Sequence, residues 1–507
     1  MTESMQSISN NSKLQTLLFL LVLLLRGSLG ISQEIVQTNF YNQDNHYRMA
    51  AEWEPALGTL IAWPLSIPYK LVVELAADNS LFTLVENESS KMEALKWFGK
   101  WGIDTDRVTF ITAPQGIDVS WVRDWGPHAV FPPQGKMKLA DGKYIFSTPV
   151  TTMSCTDPLM FLYMDGDKIL KTETEDNATA YIGSALNLKI LDLPFISTGG
   201  NVMTDGLGSA FSSCILNNEN RYYGVTDDMF FKENKMLLGI NKYHILSNFE
   251  KTGIQHIDCL MKLLDEERIL VMQPPSDHEL FPVYEDIVKN ELSQFKTYYG
   301  RPYEIVRMNT FRYRNDDLAA YSNSLILNKT IYVPLFGIPG DVTAMRRWKE
   351  LMPGYTVKGF EYILNNEPSL TQQIKDRYQS MGWNHGDALH CRTRAIWDPD
   401  MLFIALKTAN KSIKCGEDNQ IYATIIDYSG KGLKNDSLIM YWRIEGNTIW
   451  NEIRMKNTDI KQQYEVQIPC QNQGISIEYY ISGASESGKK ATRPSTAPLG
   501  YYRTTFK

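Results

Sequence analysis

The sequence predicts an α/β domain followed by a smaller domain built of β-strands alone. Its 507 residues exceed what a single hydrophobic core normally serves. Up to residue 398, short apolar runs that end in polar loops alternate with segments of helical spacing. Beyond Pro399 only short β-rich runs remain, separated by turns that contain Gly, Asn and Asp. We therefore expect domains at 47–398 and 399–507, preceded by a linker at 31–46.

The N-terminus has the features of a secretory signal peptide. Lys13 precedes an apolar run at 17–25, which is too short to span a bilayer comfortably. Ser28 and Gly30 are small residues at the spacing that favours cleavage after Gly30. An uncleaved anchor is the competing interpretation, and Arg26 disfavours it. We expect a signal peptide at 1–30, a secreted or extracytoplasmic mature chain, and no stable membrane insertion after cleavage.

The composition restricts the class of protein. A hydrophobic content of 43% and a charged content of 21% are typical of soluble globular domains. The net charge of -7 disfavours nucleic acid or an anionic membrane as the main partner. No CxxC spacing or histidine cluster indicates a metal site. We therefore predict neither a metal nor another cofactor.

The α/β part begins with an apolar run at 59–62 that Pro64 closes, which predicts a short buried strand. Helical spacing follows at 87–101, and a strand is predicted at 107–112. The polar and aromatic segment 120–127 comes next, where an α/β domain usually places its functional site.

The alternation of strand and polar loop recurs along the chain. Asp124, Asn201, Asp258, Asn323 and Cys391 each lie near a predicted strand end, at comparable intervals. This pattern favours a repeated α/β unit arranged around one centre. Ordinary strand and loop alternation remains the alternative, because polar residues occur in loops in any case.

The C-terminal part contains five β-rich runs of similar length. They lie at 401–406, 421–426, 437–442, 464–468 and 475–481. Their length and spacing are typical of a small immunoglobulin-like sandwich.

Six cysteines are too few and too scattered for a disulfide scaffold. Cys391 is the candidate nucleophile, because its flanking His390 and Arg392 favour a lowered thiol pKa and a reachable sulfur. Ordinary packing is the alternative for any single cysteine. Cys415 and Cys470 are able to pair in an oxidising compartment. An odd number of cysteines remains beside Cys391, so at least one more thiol is expected to be free or paired between chains.

Six short stretches occur in the order found in a known family: Ala51 to Pro55, Trp121-x-Arg123-Asp124-x-Gly126-Pro127, Gly199-Gly200-Asn201, His256-x-Asp258, Asn323 and Gly386-x-Ala388-Leu389-His390-Cys391. Together they resemble the bacterial peptidylarginine deiminase and agmatine deiminase family, with a closer likeness to the peptidylarginine deiminase branch. The resemblance covers roughly residues 47 to 398. It implies a five-fold pseudo-symmetric α/β propeller that hydrolyses a guanidinium to a ureido group and ammonia without calcium. A trailing sandwich is also found in that branch.

The residue types suit this chemistry. A guanidinium carbon is a poor electrophile, so a thiolate such as Cys391 is a better nucleophile than a hydroxyl and would form a covalent thiouronium. Carboxylates accept guanidinium N–H groups in pairs, which is the role expected for Asp124 and Asp258. The release of ammonia and the activation of water call for a group that titrates near neutrality, and the histidine type of His256 fits this role.

The resemblance supplies two further roles. It implies that Asn323 orients the substrate and the nucleophile, and that Trp121 forms a wall against the aliphatic stem of the substrate. Each assigned residue also has a structural interpretation. These are a surface ion pair of Asp124 with Arg123, a core position for His256, a turn before a strand for Asn323, support for His385 and His390, and a tight turn at 199–201.

The sequence departs from the family in the loop that binds the substrate carboxylate. The characterised peptidylarginine branch places arginines there, whereas residues 144–167 of this chain contain no Lys or Arg. An unpaired carboxylate is costly to desolvate, so we do not expect restriction to C-terminal arginine. Asp157, Asp165 and Asp167 would suit an amine such as that of agmatine, or the loop is open to internal arginine residues.

We expect deimination of arginine side chains in peptides or proteins to citrulline. Agmatine deimination to N-carbamoylputrescine, a step of putrescine biosynthesis, is the first alternative, although a secretion signal and an added β domain suit extracellular protein substrates better. A catalytically inactive secreted binding protein is the second alternative. The complete set of reactive residues argues against it.

Overall fold

The computed structural model describes residues 41–43, 46–113, 117, 120–144, 155–156, 164–165, 168–169, 173–250, 254–362, 383, 388–416 and 419–507. The signal peptide expected at 1–30 lies outside these residues. Within the part of the chain that is described, no helix has both the length and the apolar character needed to cross a membrane.

Five small mixed sheets share one design. In each sheet a central strand pairs on one side with an antiparallel strand and on the other with a parallel strand. In the order antiparallel, central and parallel, the strands are His128–Phe131, Lys138–Lys143 and Lys189–Ile196; Met203–Thr204, Ser209–Ser213 and Lys242–Leu246; Met261–Leu263, Arg268–Gln273 and Glu304–Asn309; Leu325–Leu327, Thr330–Leu335 and Thr356–Glu361; Arg394–Trp397, Ala56–Ala62 and Ser80–Val85. Arg48–Met49 and Val108–Thr112 extend the first and the last of these sheets.

The last sheet closes the ring. Its antiparallel strand comes from 394–397 and its central strand from 56–62, with Arg394 opposite Leu60. The two ends of the α/β region are thus joined by backbone hydrogen bonds within one sheet. Five repeats that close in this way confirm the predicted propeller and the repeated unit around one centre.

Helices provide the crossovers that parallel pairing requires. One or more helices lie between the central and the parallel strand of every sheet: Tyr69–Asp78, Ala178–Leu186, Ile215–Tyr222 with Asp227–Glu233, Phe281–Asp286, and Gly340–Leu351. The helix Glu88–Lys100 begins at the Asn87 cap, whose side chain accepts a hydrogen bond from the N–H of Ser90. It agrees with the prediction at 87–101, and the strand Val108–Thr112 agrees with that at 107–112. Two short helices, Val122–Trp125 and Glu173–Asp176, complete this set.

The C-terminal residues form two sheets with their own core. One contains Leu402–Lys407, Gln420–Asp427, Gln463–Gln467 and Lys456–Asn457, and the other contains Ser412–Ile413, Tyr502–Phe506, Ser476–Ala484, Ile439–Ile444, Asn451–Arg454 and Lys490–Arg493. Alternate residues of both sheets, such as Ile404, Ile425, Tyr479 and Ile481, are buried between them. Each of the five predicted β-rich runs overlaps one of these strands.

A buried arginine joins the two regions. Arg48 forms an ion pair with Glu54, with Nη1 2.6 Å from Oε1, and both side chains are about 1% exposed. Its Nε donates to the hydroxyl of Tyr428 at 3.0 Å, and its Cζ lies 3.9 Å from the ring centre of Phe403. The ring of Phe131 lies on the propeller side, 4.8 Å away. The guanidinium is therefore enclosed by aromatic rings from both regions.

The cysteines divide into two disulfides and two free thiols. Cys155 pairs with Cys214, and Cys415 pairs with Cys470 as the sequence suggested. Cys259 and Cys391 are free and buried. Cys259 is therefore the additional free thiol that the odd count predicted.

Candidate active site

A short turn leads into the antiparallel strand of each propeller sheet, and each of these turns carries one candidate residue. Four of the turns are helical, at Val122–Trp125, Gly199–Asn201, Ile257–Cys259 and His390–Arg392, and the fifth contains Asn323. The sequence predicted that these residues lie near strand ends of a repeated unit arranged around one centre. The closed ring brings the five turns together.

Cys391 lies between Asn323 and Asp258. Its Sγ is 3.1 Å from Nδ2 of Asn323 and 3.5 Å from Oδ2 of Asp258. Oδ1 of Asn323 accepts hydrogen bonds from the backbone N–H groups of His390, at 2.8 Å, and of Cys391, at 3.3 Å. One amide side chain thus holds both the sulfur and the turn that carries it. Asn323 therefore does more than form the turn before a strand, which was its structural interpretation.

Asp124 and His256 meet beside Gly200. The backbone N–H of Gly200 donates to Oδ1 of Asp124 at 3.1 Å. A Cβ atom on Gly200 would lie 2.6 Å from Oδ1 of Asp124, 2.8 Å from Nδ1 of His256 and 3.5 Å from Oδ2 of Asp258. The absence of a side chain at Gly200 lets two carboxylates and an imidazole lie close together around this backbone. The Gly-Gly-Asn turn therefore borders the site, whereas the sequence had indicated only a tight turn there.

Asn201 fixes the segment that carries His256 and Asp258. Its Oδ1 accepts hydrogen bonds from the N–H groups of Ile257, at 3.1 Å, and of Ser213, at 3.0 Å. Asn201 is completely buried. Because Ile257 stands between the two candidate residues, this bond sets the position of both.

The pKa of His256 is raised to about 9. Burial on its own lowers this pKa, but the negative charge of Asp124, 3.4 Å from Nδ1, outweighs burial, and Asp258 adds to the effect. His256 is therefore an imidazolium at neutral pH. A core histidine without a charged partner would instead be neutral.

Asp258, His390 and the partly buried Glu52 form a chain of side chains that the sequence did not reveal. Nδ1 of His390 lies 2.6 Å from Oδ2 of Asp258, and Nε2 lies 2.5 Å from Oε2 of Glu52. Sequence reasoning gave His390 a supporting role without a partner. Glu52 belongs to the first motif of the family resemblance, and that was the signal available in the sequence.

Two cations complete this chain. Nζ of Lys262 lies 3.0 Å from Oε1 of Glu52, and Nη1 of Arg123 lies 3.6 Å from Oε2. Burial would raise the pKa of Glu52, but His390 and Lys262 outweigh it and hold the pKa well below its usual range. Burial would also raise the pKa of Asp258, but the hydrogen bond from His390 outweighs burial and the pKa is lowered. The proposed surface ion pair of Asp124 with Arg123 is wrong, because both side chains are buried and Arg123 pairs with Glu52.

Trp121 lies at the start of the helical turn that carries Asp124 and is half-buried. Its ring centre is 5.6 Å from Cζ of Arg392, which also lies 5.2 Å from the ring centre of Tyr362 and 5.6 Å from that of Trp383. Trp121 therefore belongs to an aromatic cluster around the arginine that follows Cys391.

The sulfur is less accessible than the sequence suggested. We expected a reachable thiol, but Cys391 is 0% exposed, and Asp258 and Asn323 are also completely buried. His385, Gly386, Asp157 and Asp167 lie outside the described residues, as does most of the loop 144–167.

The chain is similar to known proteins over the propeller region. The profile of the Porphyromonas-type peptidyl-arginine deiminase family matches residues 48–364, which include Asp124, His256, Asp258 and Asn323 and end before Cys391. A candidate agmatine deiminase of Mycoplasma mycoides is 24% identical over 294 residues, which are 50% of this chain and 74% of that protein.

Solved structures share the fold of the propeller. The agmatine deiminase of Enterococcus faecalis has a TM-score of 0.52 and 16% identity, covering 71% of this chain and 98% of that chain. The substrate-bound agmatine deiminase of C. jejuni has a TM-score of 0.51 and 16% identity, covering 71% and 99%. The family profile spans more than half of this sequence. The chain therefore belongs to the Porphyromonas-type peptidyl-arginine deiminase family, and it is a hydrolase that acts on carbon–nitrogen bonds of amidines.

Proposed function

We propose that this protein hydrolyses the guanidinium group of arginine side chains in peptides or proteins to citrulline and ammonia. The observation that carries the proposal is the cluster of Asp124, His256 and Asp258 around Gly200. The sulfur of Cys391 lies 3.5 Å from Oδ2 of Asp258 in the same cluster. Two carboxylates beside a thiol suit a planar cation whose carbon must be attacked.

In the proposed mechanism, Asp124 and Asp258 accept N–H groups of the guanidinium and place its carbon in front of Cys391 Sγ. Attack by the thiolate forms the S–C bond and a tetrahedral intermediate. His256 carries a proton at neutral pH and gives it to the departing nitrogen, so the C–N bond breaks and ammonia leaves. The product of this step is a thiouronium on Cys391.

The same groups complete the reaction. His256, now neutral, takes a proton from water, and the oxygen attacks the thiouronium carbon. The S–C bond then breaks, which restores the thiolate, and the ureido product is released as its oxygen-bound proton passes to solvent. In this mechanism Asn323 keeps Cys391 in place through bonds to its sulfur and its backbone. Trp121 is proposed to line the path of the aliphatic stem.

Replacing the nucleophile tests the mechanism. Cys391→Ala should abolish formation of citrulline and ammonia from arginyl peptides while the near-UV circular dichroism stays unchanged. Cys259→Ala removes the other free thiol of the same cluster and serves as the matched control, with turnover retained. Turnover by Cys391→Ala would refute the covalent mechanism.

Agmatine is the second candidate substrate. The absence of Lys and Arg from 144–167 favours it, because that loop offers no partner for a substrate carboxylate. An assay of citrulline or N-carbamoylputrescine over agmatine, free arginine, and C-terminal and internal arginyl peptides decides between the two. A higher kcat/KM for agmatine than for every peptide would assign the protein to polyamine metabolism.

We also propose that the mature chain is exported and that 399–507 form an immunoglobulin-like domain. Two disulfides support an oxidising compartment, and two facing sheets with a common core support the sandwich. N-terminal sequencing of the protein recovered from outside the cytoplasm should begin after Gly30. Recovery of an intact N-terminus inside the cell would contradict export. The inactive binding protein is disfavoured by the clustered site.

A further inference from the structure

The two free thiols of this chain are neighbours in the candidate active site. Cys259 directly follows Asp258, and its Sγ lies 3.5 Å from Oδ1 of that carboxylate. The sulfur of Cys391 lies 3.5 Å from the other oxygen, Oδ2. Nδ2 of Asn323 lies 3.1 Å from the Cys391 sulfur and 3.9 Å from the Cys259 sulfur. One amide and one carboxylate therefore bracket both sulfurs.

The mechanism proposed above uses Cys391 and leaves Cys259 without a part. The remaining four cysteines are already paired in disulfides. Cys259 is 6% exposed, and neither thiol is on the protein surface.

We propose that Cys259 and Cys391 form an oxidative modification site, in which peroxide converts the nucleophile to a disulfide with Cys259. Hydrogen peroxide is smaller than an arginine side chain, so a site that admits such a substrate would also admit the oxidant. The loss of activity that follows rests on the proposed function. The access of peroxide to the buried sulfur rests on it as well, whereas the pairing of the two sulfurs rests on their proximity alone.

The chemistry proceeds in two balanced steps. The Cys391 thiolate attacks one oxygen of peroxide, so an S–O bond forms, the O–O bond breaks, and hydroxide leaves and is protonated to water. The sulfur is oxidised to sulfenic acid. The Cys259 sulfur then attacks the sulfenic sulfur as its thiol proton is lost, so the S–S bond forms and the S–O bond breaks with release of a second water. Two thiols and one peroxide thus give one disulfide and two waters.

The different environments of the two thiols set this order. The hydrogen bond with Cys391 and burial raise the pKa of Cys259 well above its usual range. Cys259 therefore stays protonated while Cys391 is oxidised. It reacts only when a sulfenic sulfur is next to it, which is the behaviour of a resolving cysteine.

A dithiol reduces the disulfide between Cys259 and Cys391 and so restores the nucleophile, whereas oxidation of Cys391 to sulfinic acid is irreversible. The pair would therefore protect the nucleophile in the oxidising compartment that the two other disulfides indicate. Without Cys259, the sulfenic acid would proceed to sulfinic acid.

The test compares wild type with Cys259→Ser after treatment with hydrogen peroxide. Non-reducing peptide mapping of wild type should show tryptic peptides 252–262 and 378–392 joined and two hydrogen masses lighter than their sum. Dithiothreitol should restore citrulline formation. In Cys259→Ser, Cys391 should appear as sulfinic acid, with recovery about tenfold lower than in wild type.

Both proteins keep the same two structural disulfides, so a loss of activity caused by a change in those disulfides would be equal in wild type and variant. Absence of the joined peptides, with Cys391 oxidised irreversibly in wild type and variant alike, would overturn the inference. Joined peptides in a protein that shows no deimination even before treatment would instead contradict the proposed function and leave the modification site intact.

Discussion

Nδ1 of His256 lies 3.4 Å from Oδ1 of Asp124, and both side chains are almost completely buried. This contact holds the pKa of His256 at about 9 against the opposing effect of burial. We therefore expect kcat/KM for an arginyl peptide to fall as the pH rises through about 9, because the neutral histidine has no proton for the leaving ammonia. A pH profile of kcat/KM, which reports the free enzyme, measures this. A limb near the ordinary pKa of 6.5 would contradict it.

The same contact affects stability. Since the pKa of His256 is raised on folding, the contribution of its protonation to the free energy of unfolding is complete below pH 6.5 and is lost as the pH rises through about 9.

Asp124→Asn removes the charge that attracts the His256 proton, so the alkaline limb of any residual activity should move toward lower pH. An NMR titration of the His256 ring provides a readout that does not depend on turnover.

Gly200→Ala should reduce turnover about a hundredfold, because the added methyl displaces Asp124 and His256 from their positions. Overpacking would also lower the free energy of unfolding by about 1–3 kcal/mol, which urea denaturation measures. Gly99→Ala is the control, since a Cβ there has no neighbour within 4 Å and the residue lies in the helix Glu88–Lys100. That variant should be as active as wild type and about 0.5–1 kcal/mol more stable. Equal activity of the two variants would refute the crowding argument.

Glu52→Gln should lower the free energy of unfolding by about 3–5 kcal/mol, because it leaves the buried charges of Lys262 and Arg123 uncompensated. Glu285→Gln breaks an ion pair with Arg307 in which the Glu285 side chain is 38% exposed, and should cost at most about 1 kcal/mol. Urea denaturation at neutral pH compares the two variants. Similar losses would mean that the buried chain around Glu52 does not stabilise the fold.

A haloacetamidine should alkylate Cys391 faster than iodoacetamide does, because its amidinium pairs with Asp124 and Asp258. Asp258→Asn should slow the amidine reaction by roughly 10- to 100-fold, the equivalent of a charge-assisted hydrogen bond. The reaction with neutral iodoacetamide should change far less. Mass spectrometry of peptide 378–392 follows both rates. Failure of the amidine to label Cys391 would favour the inactive binding protein.

Blocking the C-terminus of an arginyl peptide as an amide should change kcat/KM by less than the roughly 1.5–3 kcal/mol of a charge-assisted hydrogen bond. No Lys or Arg occurs in 144–167. Arg312, an alternative carboxylate partner, is already bound by Asp316 at 2.6 Å and Asp277 at 3.0 Å. A loss of more than about a hundredfold on amidation would show that C-terminal selectivity is retained.

Many helices and strands could be predicted from the sequence, because the apolar spacing typical of a helix or of a strand is present within short segments. The helix Glu88–Lys100 and the strand Val108–Thr112 follow from apolar spacing over a few residues. The ring could be inferred only from the recurrence of polar positions, and its closure depends on pairing between Arg394 and Leu60, which no local pattern specifies. The helical turn Val122–Trp125 was missed because four residues are too few for a periodic signal.

The site was predictable where single residues carry recognisable chemistry, as with Cys391, His256 and Asp258. The partners of these residues were not. His390 and Glu52 are 338 positions apart, and their contact arises only when the strand Arg394–Trp397 pairs with Ala56–Ala62 in one sheet. The prediction of a reachable sulfur was wrong, because the exposure of Cys391 depends on all the residues packed around it and not on its sequence neighbours alone.

Arg48 has a consequence for how such proteins acquire and exchange parts. Its charge is buried against rings from both regions, so neither region presents a complete surface on its own. A recombination event that supplied a different C-terminal domain would have to provide equivalents of Phe403 and Tyr428. Otherwise the guanidinium of Arg48 would lack its aromatic and hydroxyl partners from that domain. Transfer of the tail between lineages is therefore constrained by a residue near the opposite end of the chain.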